Sequence, residues 1–109
     1  MITMNQKKFV ISQLYDYYGE LLKDKQKYAV EMYYNDDLSL SEIAESIGIT
    51  RQGVRDQLRH AEDFLLLCES KLGFADKLGQ ALLLAEQIKN QSANQDISAK
   101  VDKIIDLLS

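Results

Sequence analysis

Between Leu38 and Ala61 the chain writes two helices joined at a fixed glycine, and that pattern leaves few alternatives for the fold. Ser39 followed by Glu42 is a capping box. The serine oxygen accepts the amide of residue 42, and the glutamate reaches back to the serine amide. Leu38 and Ile43 hold the hydrophobic-staple positions on either side of that cap. Leu40, Ile43, Ala44 and Ile47 recur at spacings of three and four, which gives a short helix a single apolar stripe. Ala44 is small enough to let a second helix come close. Gly48 takes positive φ without a Cβ penalty, so it ends the first helix and turns the chain. Ile49 plugs the corner and Thr50 caps the helix that follows. In that helix Val54, Leu58 and Ala61 face inward, leaving Arg51, Gln52, Arg55, Asp56 and Arg59 outward. Cap, glycine and stripe agree over about 20 residues, and together they spell a helix-turn-helix over residues 39–67.

The second helix of such a unit lies in the major groove of DNA. Arginine and glutamine carry the donors that match guanine and adenine edges, and arginine also grips phosphate. Arg51, Gln52 and Arg55, near the helix start, are the base-facing candidates. Arg59 is placed to meet a phosphate, and Thr50 completes the candidate DNA-binding set. The alternative is a solvated charged face that touches nothing, or one that touches protein.

Charge works against the DNA reading. The formal net charge is −4, where a nucleic-acid binder is expected to carry a basic footprint. Residues 1–74 hold 9 Lys and Arg against 12 Asp and Glu, and residues 75–109 hold 4 against 5. Within that acidic chain the stretch Thr50–His60, with three arginines and one aspartate, is locally positive. Weak non-specific affinity is expected from so few phosphate contacts.

No proline, 5 glycines and 46% hydrophobic residues favour an all-α chain with few sharp loops. At 109 residues it is long enough to bury a modest core without cross-links. One cysteine, Cys68, permits no internal disulfide and reads as a packed small apolar residue. With no secretory leader pattern and no apolar run of membrane-spanning length, a cytoplasmic location is expected. His60 stands alone. There is no phosphate-cradling glycine loop, no metal-spaced His/Cys set and no nucleophile paired with a base, so neither an enzyme nor a cofactor is expected.

Outside the motif, Lys7–Leu22 reads as a helix with Val10, Leu14, Tyr17, Leu21 and Ile11, Tyr18, Leu22 on a wide buried stripe. All six tyrosines fall in residues 15–34, where they are expected to line the core with hydroxyls at its edge. Asp24–Tyr34 reads as a second helix, capped by Asp24, with Tyr28, Met32 and Tyr33 inward. Asn35-Asp36-Asp37 is a turn. From Ala75, the residues Leu78, Ala81, Leu82, Ala85 and Ile88 form a stripe with Leu83 and Leu84 beside it. Lys89–Gln95 reads as a loop, and Ile97, Val101, Ile104, Ile105 and Leu108 mark a last helix. The expected division is 1–74 for the N-terminal helices with the helix-turn-helix, and 75–109 for a C-terminal extension of the same domain. The apolar surplus on that extension points to a homodimer or a partner interface, with packing within the chain as the competing account.

Residues 21–66 resemble region 4 of bacterial sigma factors, through Leu22, Lys25-Gln26, Tyr33-Tyr34, Asp37-Leu38-Ser39, Glu42-Ile43-Ala44 and Val54-Arg55-Asp56-Gln57-Leu58. A narrower likeness covers nearly the whole chain. Leu14-Tyr15-Asp16-Tyr17-Tyr18, Leu21-Leu22, Lys25-Gln26, Tyr33 to Leu40, Glu42-Ile43-Ala44 and Arg51-Gln52-Gly53-Val54 resemble the YlxM-type proteins of Gram-positive bacteria. That resemblance implies a sigma-region-4-like helical bundle and a DNA-binding regulator. It also implies a link to the signal recognition particle pathway, since genes of the family lie beside that of the particle's GTPase. A protein that contacts the particle or its GTPase instead of DNA is the alternative it carries.

Overall fold

The computed structural model describes residues 3–109 and is helical almost throughout. Six α-helices follow one another among the described residues: α1 (Met4–Tyr18), α2 (Asp24–Val30), α3 (Leu40–Ile47), α4 (Arg51–Leu72), α5 (Phe74–Gln91) and α6 (Gln95–Leu108). The chain divides into two compact units, Met1–Leu72 and Gly73–Ser109.

In the first unit the long helix α4 is the spine, and α1, α2 and α3 each pack against it. Its buried residues Val54, Leu58, Ala61 and Leu65 repeat at spacings of four, three and four, which keeps one stripe turned inward for more than three turns. They meet Ile11, Leu14 and Tyr18 of α1, Ala29 and Val30 of α2, and Ile43 and Ala44 of α3, all buried. Each fully buried branched aliphatic side chain contributes about 1.5–3 kcal/mol of transfer free energy, so this stripe dominates the unit's stability.

Helix α1 starts earlier than its apolar spacing predicts, because Thr3 and Gln6 form a second capping box: the Gln6 amide donates to Thr3 Oγ1 at 3.2 Å and the Thr3 amide to Gln6 Oε1 at 2.7 Å. It also ends earlier, passing at Gly19–Leu21 into a 3₁₀ turn. That change of pitch rotates Leu21 to the surface, and Tyr17 also lies outside the core, so the buried stripe is the narrower set Ile11, Leu14, Tyr18 and Leu22.

Helix α2 differs from expectation in its cap and its face. Lys23 stands at the cap position without a side-chain bond, and Asp24 is the first helical residue. Ala29 and Val30 are buried while Tyr28 is half exposed, because the small and β-branched pair fits the close approach to α4 that a tyrosine would block. The last turn widens into a π-helical turn over Glu31–Asn35, which brings Tyr33 and Tyr34 round together. Asn35 closes that π-helical turn, and the expected break follows at Asp36-Asp37, with Asp37 at φ 56° and its carboxylate on Lys8 at 3.0 Å. Only Tyr18 of the six tyrosines is buried.

In the second unit α5 and α6 pack against each other through Leu78, Ala85 and Val101. The expected loop Lys89–Gln95 shrinks to residues 92–94, since α5 runs on to Gln91 and Asn94 caps α6 by accepting from the Asp96 and Ile97 amides at 2.8 and 3.3 Å. A polar run therefore continues as an exposed helical turn. Lys89 uses it to reach Asp102 at 2.7 Å.

Candidate nucleic-acid interface

The turn between α3 and α4 is closed by backbone geometry that the sequence specifies residue by residue. At the start of α3, the Glu42 amide donates to Ser39 Oγ at 3.1 Å and the Ser39 amide to Glu42 Oε1 at 3.0 Å. The Ser39 amide, and after it the Ser39 side chain, hold the Glu42 carboxyl below its usual pKa range, since a donor to the carboxylate favours the ionised form. At the other end Gly48 sits at φ 74°, and the Ala44 carbonyl accepts from both Gly48 and Ile49 amides at 2.9 and 3.1 Å. Thr50 then caps α4, its Oγ1 accepting from the Gly53 amide at 2.9 Å.

With Val54 and Leu58 locked inward, Arg51, Gln52, Arg55 and Arg59 are all exposed on the outer face of α4. They are not equivalent. Gln52 Nε2 donates to Asp56 Oδ1 at 3.1 Å, and Arg59 Nη2 lies 3.6 Å from the same oxygen. Asp56 thus partly occupies two of the five candidates, a competition that spacing alone foreshadows but does not measure. Thr50 spends its oxygen lone pair on the cap. Arg51 and Arg55 make no ion pair among the described residues and keep their full donor sets.

Sequence reasoning missed a second group of cations. The fold brings Lys7 and Lys8 of α1 to the same cleft as Arg55 and Arg59, together with Met4, Tyr33, Tyr34, Leu40, Leu58 and Glu62, enclosing about 350 Å³. Glu62 of α4 organises that cleft: Oε1 pairs with Lys7 at 3.0 Å and Oε2 accepts from the Tyr34 hydroxyl at 2.6 Å. Burial, and after it the bond to Glu62, pushes the Tyr34 hydroxyl far above the ordinary tyrosine range, so it stays a donor. The Lys8 ammonium lies 5.4 Å from the centre of the Tyr33 ring, and the Tyr33 and Tyr34 rings meet edge to face at 5.0 Å. Nothing in the Lys7-Lys8 dipeptide taken alone announces this; the contact spans some fifty positions of sequence.

His60 is exposed and Cys68 half-buried and unpaired. No cluster of metal-binding side chains occurs among the described residues, and none of the helices is long and apolar enough to cross a membrane.

Comparison with known proteins places the chain. Residues 5–105 match the model of the family described as "Putative helix-turn-helix protein, YlxM / p13 like". The chain is similar to a UPF0122 protein of Caldanaerobacter subterraneus subsp. tengcongensis, at 51% identity over 76 residues that cover 70% of this chain and 65% of that protein. A UPF0122 protein of Desulforamulus reducens is 50% identical over 70 residues, 64% of this chain and 60% of its own length. Against these two the chain spans somewhat less than two thirds of the relative. That of Oceanobacillus iheyensis is 37% identical over 97 residues, covering 89% and 92%. The capped helix-turn-helix and the match along nearly its full length make this chain a member of the UPF0122 family of YlxM/p13-like helix-turn-helix proteins.

Proposed function

We propose that the chain is a DNA-binding transcriptional regulator that reads the major groove with the first turns of α4. Arg51, Gln52 and Arg55 contact base edges, Arg59 meets phosphate, and Thr50 presents its hydroxyl at the helix start. The observation that carries this reading is the pair Arg51 and Arg55, exposed one turn apart on a helix whose opposite face is buried in the core, with no ion pair to a described residue. A bidentate arginine–guanine contact discriminates by about 1–3 kcal/mol. The test is fluorescence anisotropy on genomic fragments across a salt series. Arg51→Ala with Arg55→Ala should cost at least about tenfold in specific affinity. Unchanged affinity and salt slope in that double variant would refute the proposal.

A homodimer fits this function, because paired recognition helices reach successive major grooves. The apolar face of the second unit is its proposed interface: Leu83, Leu84, Ile88 and Leu107 are 57%, 59%, 50% and 85% exposed. Light scattering on the wild type and on Leu84→Lys checks this, with a monomeric wild type as the overturning result.

A second reading is favoured by the net charge of −4 and by Asp56 tying up Gln52 and Arg59. In it the protein acts in the signal recognition particle pathway by contacting the particle or its GTPase. A pull-down with purified components decides it, and no association at micromolar concentration counts against it.

A further inference from the structure

We propose that the cleft between the start of α1 and the middle of α4 binds a small, ring-bearing anion of the nucleoside phosphate class. Its volume of about 350 Å³ lies at the lower end of the range of ligand sites. Two properties of the lining select the ligand. Met4, Leu40, Leu58 and the tyrosine rings give it an apolar body, which an inorganic anion would leave unused. Four cations, Lys7, Lys8, Arg55 and Arg59, line it against one carboxylate, Glu62.

That carboxylate is already satisfied on both oxygens by Lys7 and Tyr34, so the Lys7–Glu62 pair is close to neutral. Lys8, Arg55 and Arg59 remain. Lys8 is held by Asp37, whose side chain is 77% exposed, and lies 5.4 Å from the centre of the Tyr33 ring, while Arg59 is held only by Asp56 at 3.6 Å. Exposed pairs of this kind are worth less than about 1 kcal/mol, so a phosphate can displace them. Arg55 has nothing to displace. Phosphate oxygens then gain charge-assisted bonds from two guanidinium forks and one ammonium while a flat ring covers the aliphatic floor.

Binding here has a consequence for the outer face of α4, since Arg55 and Arg59 belong to both surfaces. A bound nucleotide and DNA compete for them. This competition rests on the DNA reading above; the binding itself does not.

The experiment is isothermal titration of the full chain, at low salt, with adenosine diphosphate and guanosine diphosphate, alongside pyrophosphate and adenosine. The expected result is saturable one-to-one binding of at least one nucleotide, about tenfold tighter than either fragment. Lys8→Gln and Arg59→Gln, both at exposed positions, should each weaken it about tenfold with an unchanged circular dichroism spectrum, whereas Lys71→Gln, elsewhere on α4, should leave it alone. No saturable binding overturns the proposal. So does pyrophosphate binding as tightly as the nucleotides, or equal losses in the Lys71 and Arg59 variants. Nucleotide binding without any DNA affinity upholds the cleft and removes the regulator reading; DNA affinity without nucleotide binding removes the cleft.

Discussion

Replacing Tyr34 by phenylalanine tests how α4 is held to the helices that flank it. The hydroxyl donates to Glu62 Oε2 at 2.6 Å across 28 positions of sequence, and the other oxygen of that carboxylate holds Lys7 at 3.0 Å. Hydrogen bonds to a charged acceptor are worth about 1.5–3 kcal/mol net. The Glu62 side chain is 14% exposed and keeps its lysine, so water recovers part of the loss. The ring itself remains and no cavity opens. Tyr34→Phe should therefore cost about 1–2 kcal/mol, around the bottom of that range and a little below it. For a domain of this size each kcal/mol moves the melting temperature by about 4–8 °C, which is readily measured by circular dichroism.

The same substitution carries a pH signature that a generic packing defect lacks. The Tyr34 hydroxyl is raised above its value in the unfolded chain, about 10, first by burial and then by Glu62. A raised acid stabilises the fold fully below the unfolded value, and that stability is lost as pH climbs toward the folded one. The gap between wild type and Tyr34→Phe should be flat from neutral pH to about 9 and shrink above about 10, by up to about 1.4 kcal/mol per pH unit. Tyr15, held up to about 12 by burial and Glu31, titrates equally in both proteins and cancels. A neutral-pH shift below about 1 °C, or a gap that stays constant through pH 11, refutes the assignment of Tyr34 and Glu62 as the clamp.

Three further substitutions probe the motif itself. Gly48→Ala forces a Cβ into a residue at φ 74° and should cost about 1–2 kcal/mol by chemical denaturation even though no atom stands in its way; an unchanged midpoint would mean that the turn relaxes freely. Glu42→Ala should destabilise at neutral pH and not at acid pH: the depressed carboxyl contributes above the ordinary carboxylate pKa, and its contribution fades as pH falls through the folded value, so a gap that persists at pH 2 contradicts the capping-box account. Gly53→Ala sets a gain of about 1 kcal/mol in helix propensity against a Cβ placed 3.2 Å from Thr50 Oγ1 and 3.4 Å from Ile49 Cδ1. Since a hydroxyl and a terminal methyl can both yield, the melting temperature should rise; a fall would mean that the cap and corner are rigid.

The parts of this fold legible in the sequence are those written in neighbouring residues. Ser39 with Glu42, Gly48, and Thr50 ahead of an inward Val54, Leu58 and Ala61 each act within one or two helical turns, and each is found as read. The misreadings arise where partners are distant. Tyr28 matches a helical period as well as Ala29 and Val30 do, and only the closeness of α4 decides that the smaller pair goes inside. Lys89 to Gln91 look like a loop by polarity, yet polarity does not break a helix, and Asp102 on the next helix rewards its continuation with an ion pair. Leu21 keeps the period of a continuous α1, but a 3₁₀ turn over Gly19–Leu21 changes the pitch beneath it.

The electrostatics of the candidate surface follow the same rule. Net charge argues against an anionic partner, and the locally positive stretch Thr50–His60 sets only three arginines against one aspartate. Folding changes which charges are neighbours. Glu62 is spent inward on Lys7 and Tyr34, Asp56 is partly spent along its own helix, and Lys8 is carried from α1 to the side of α4 where Arg55 and Arg59 stand. Affinity for phosphate depends on the cations that reach it at close range, because exposed charges beyond about 10 Å are screened at moderate salt. An acidic chain can therefore present a positive working face, and its total charge constrains that face less than the pairing of its carboxylates does.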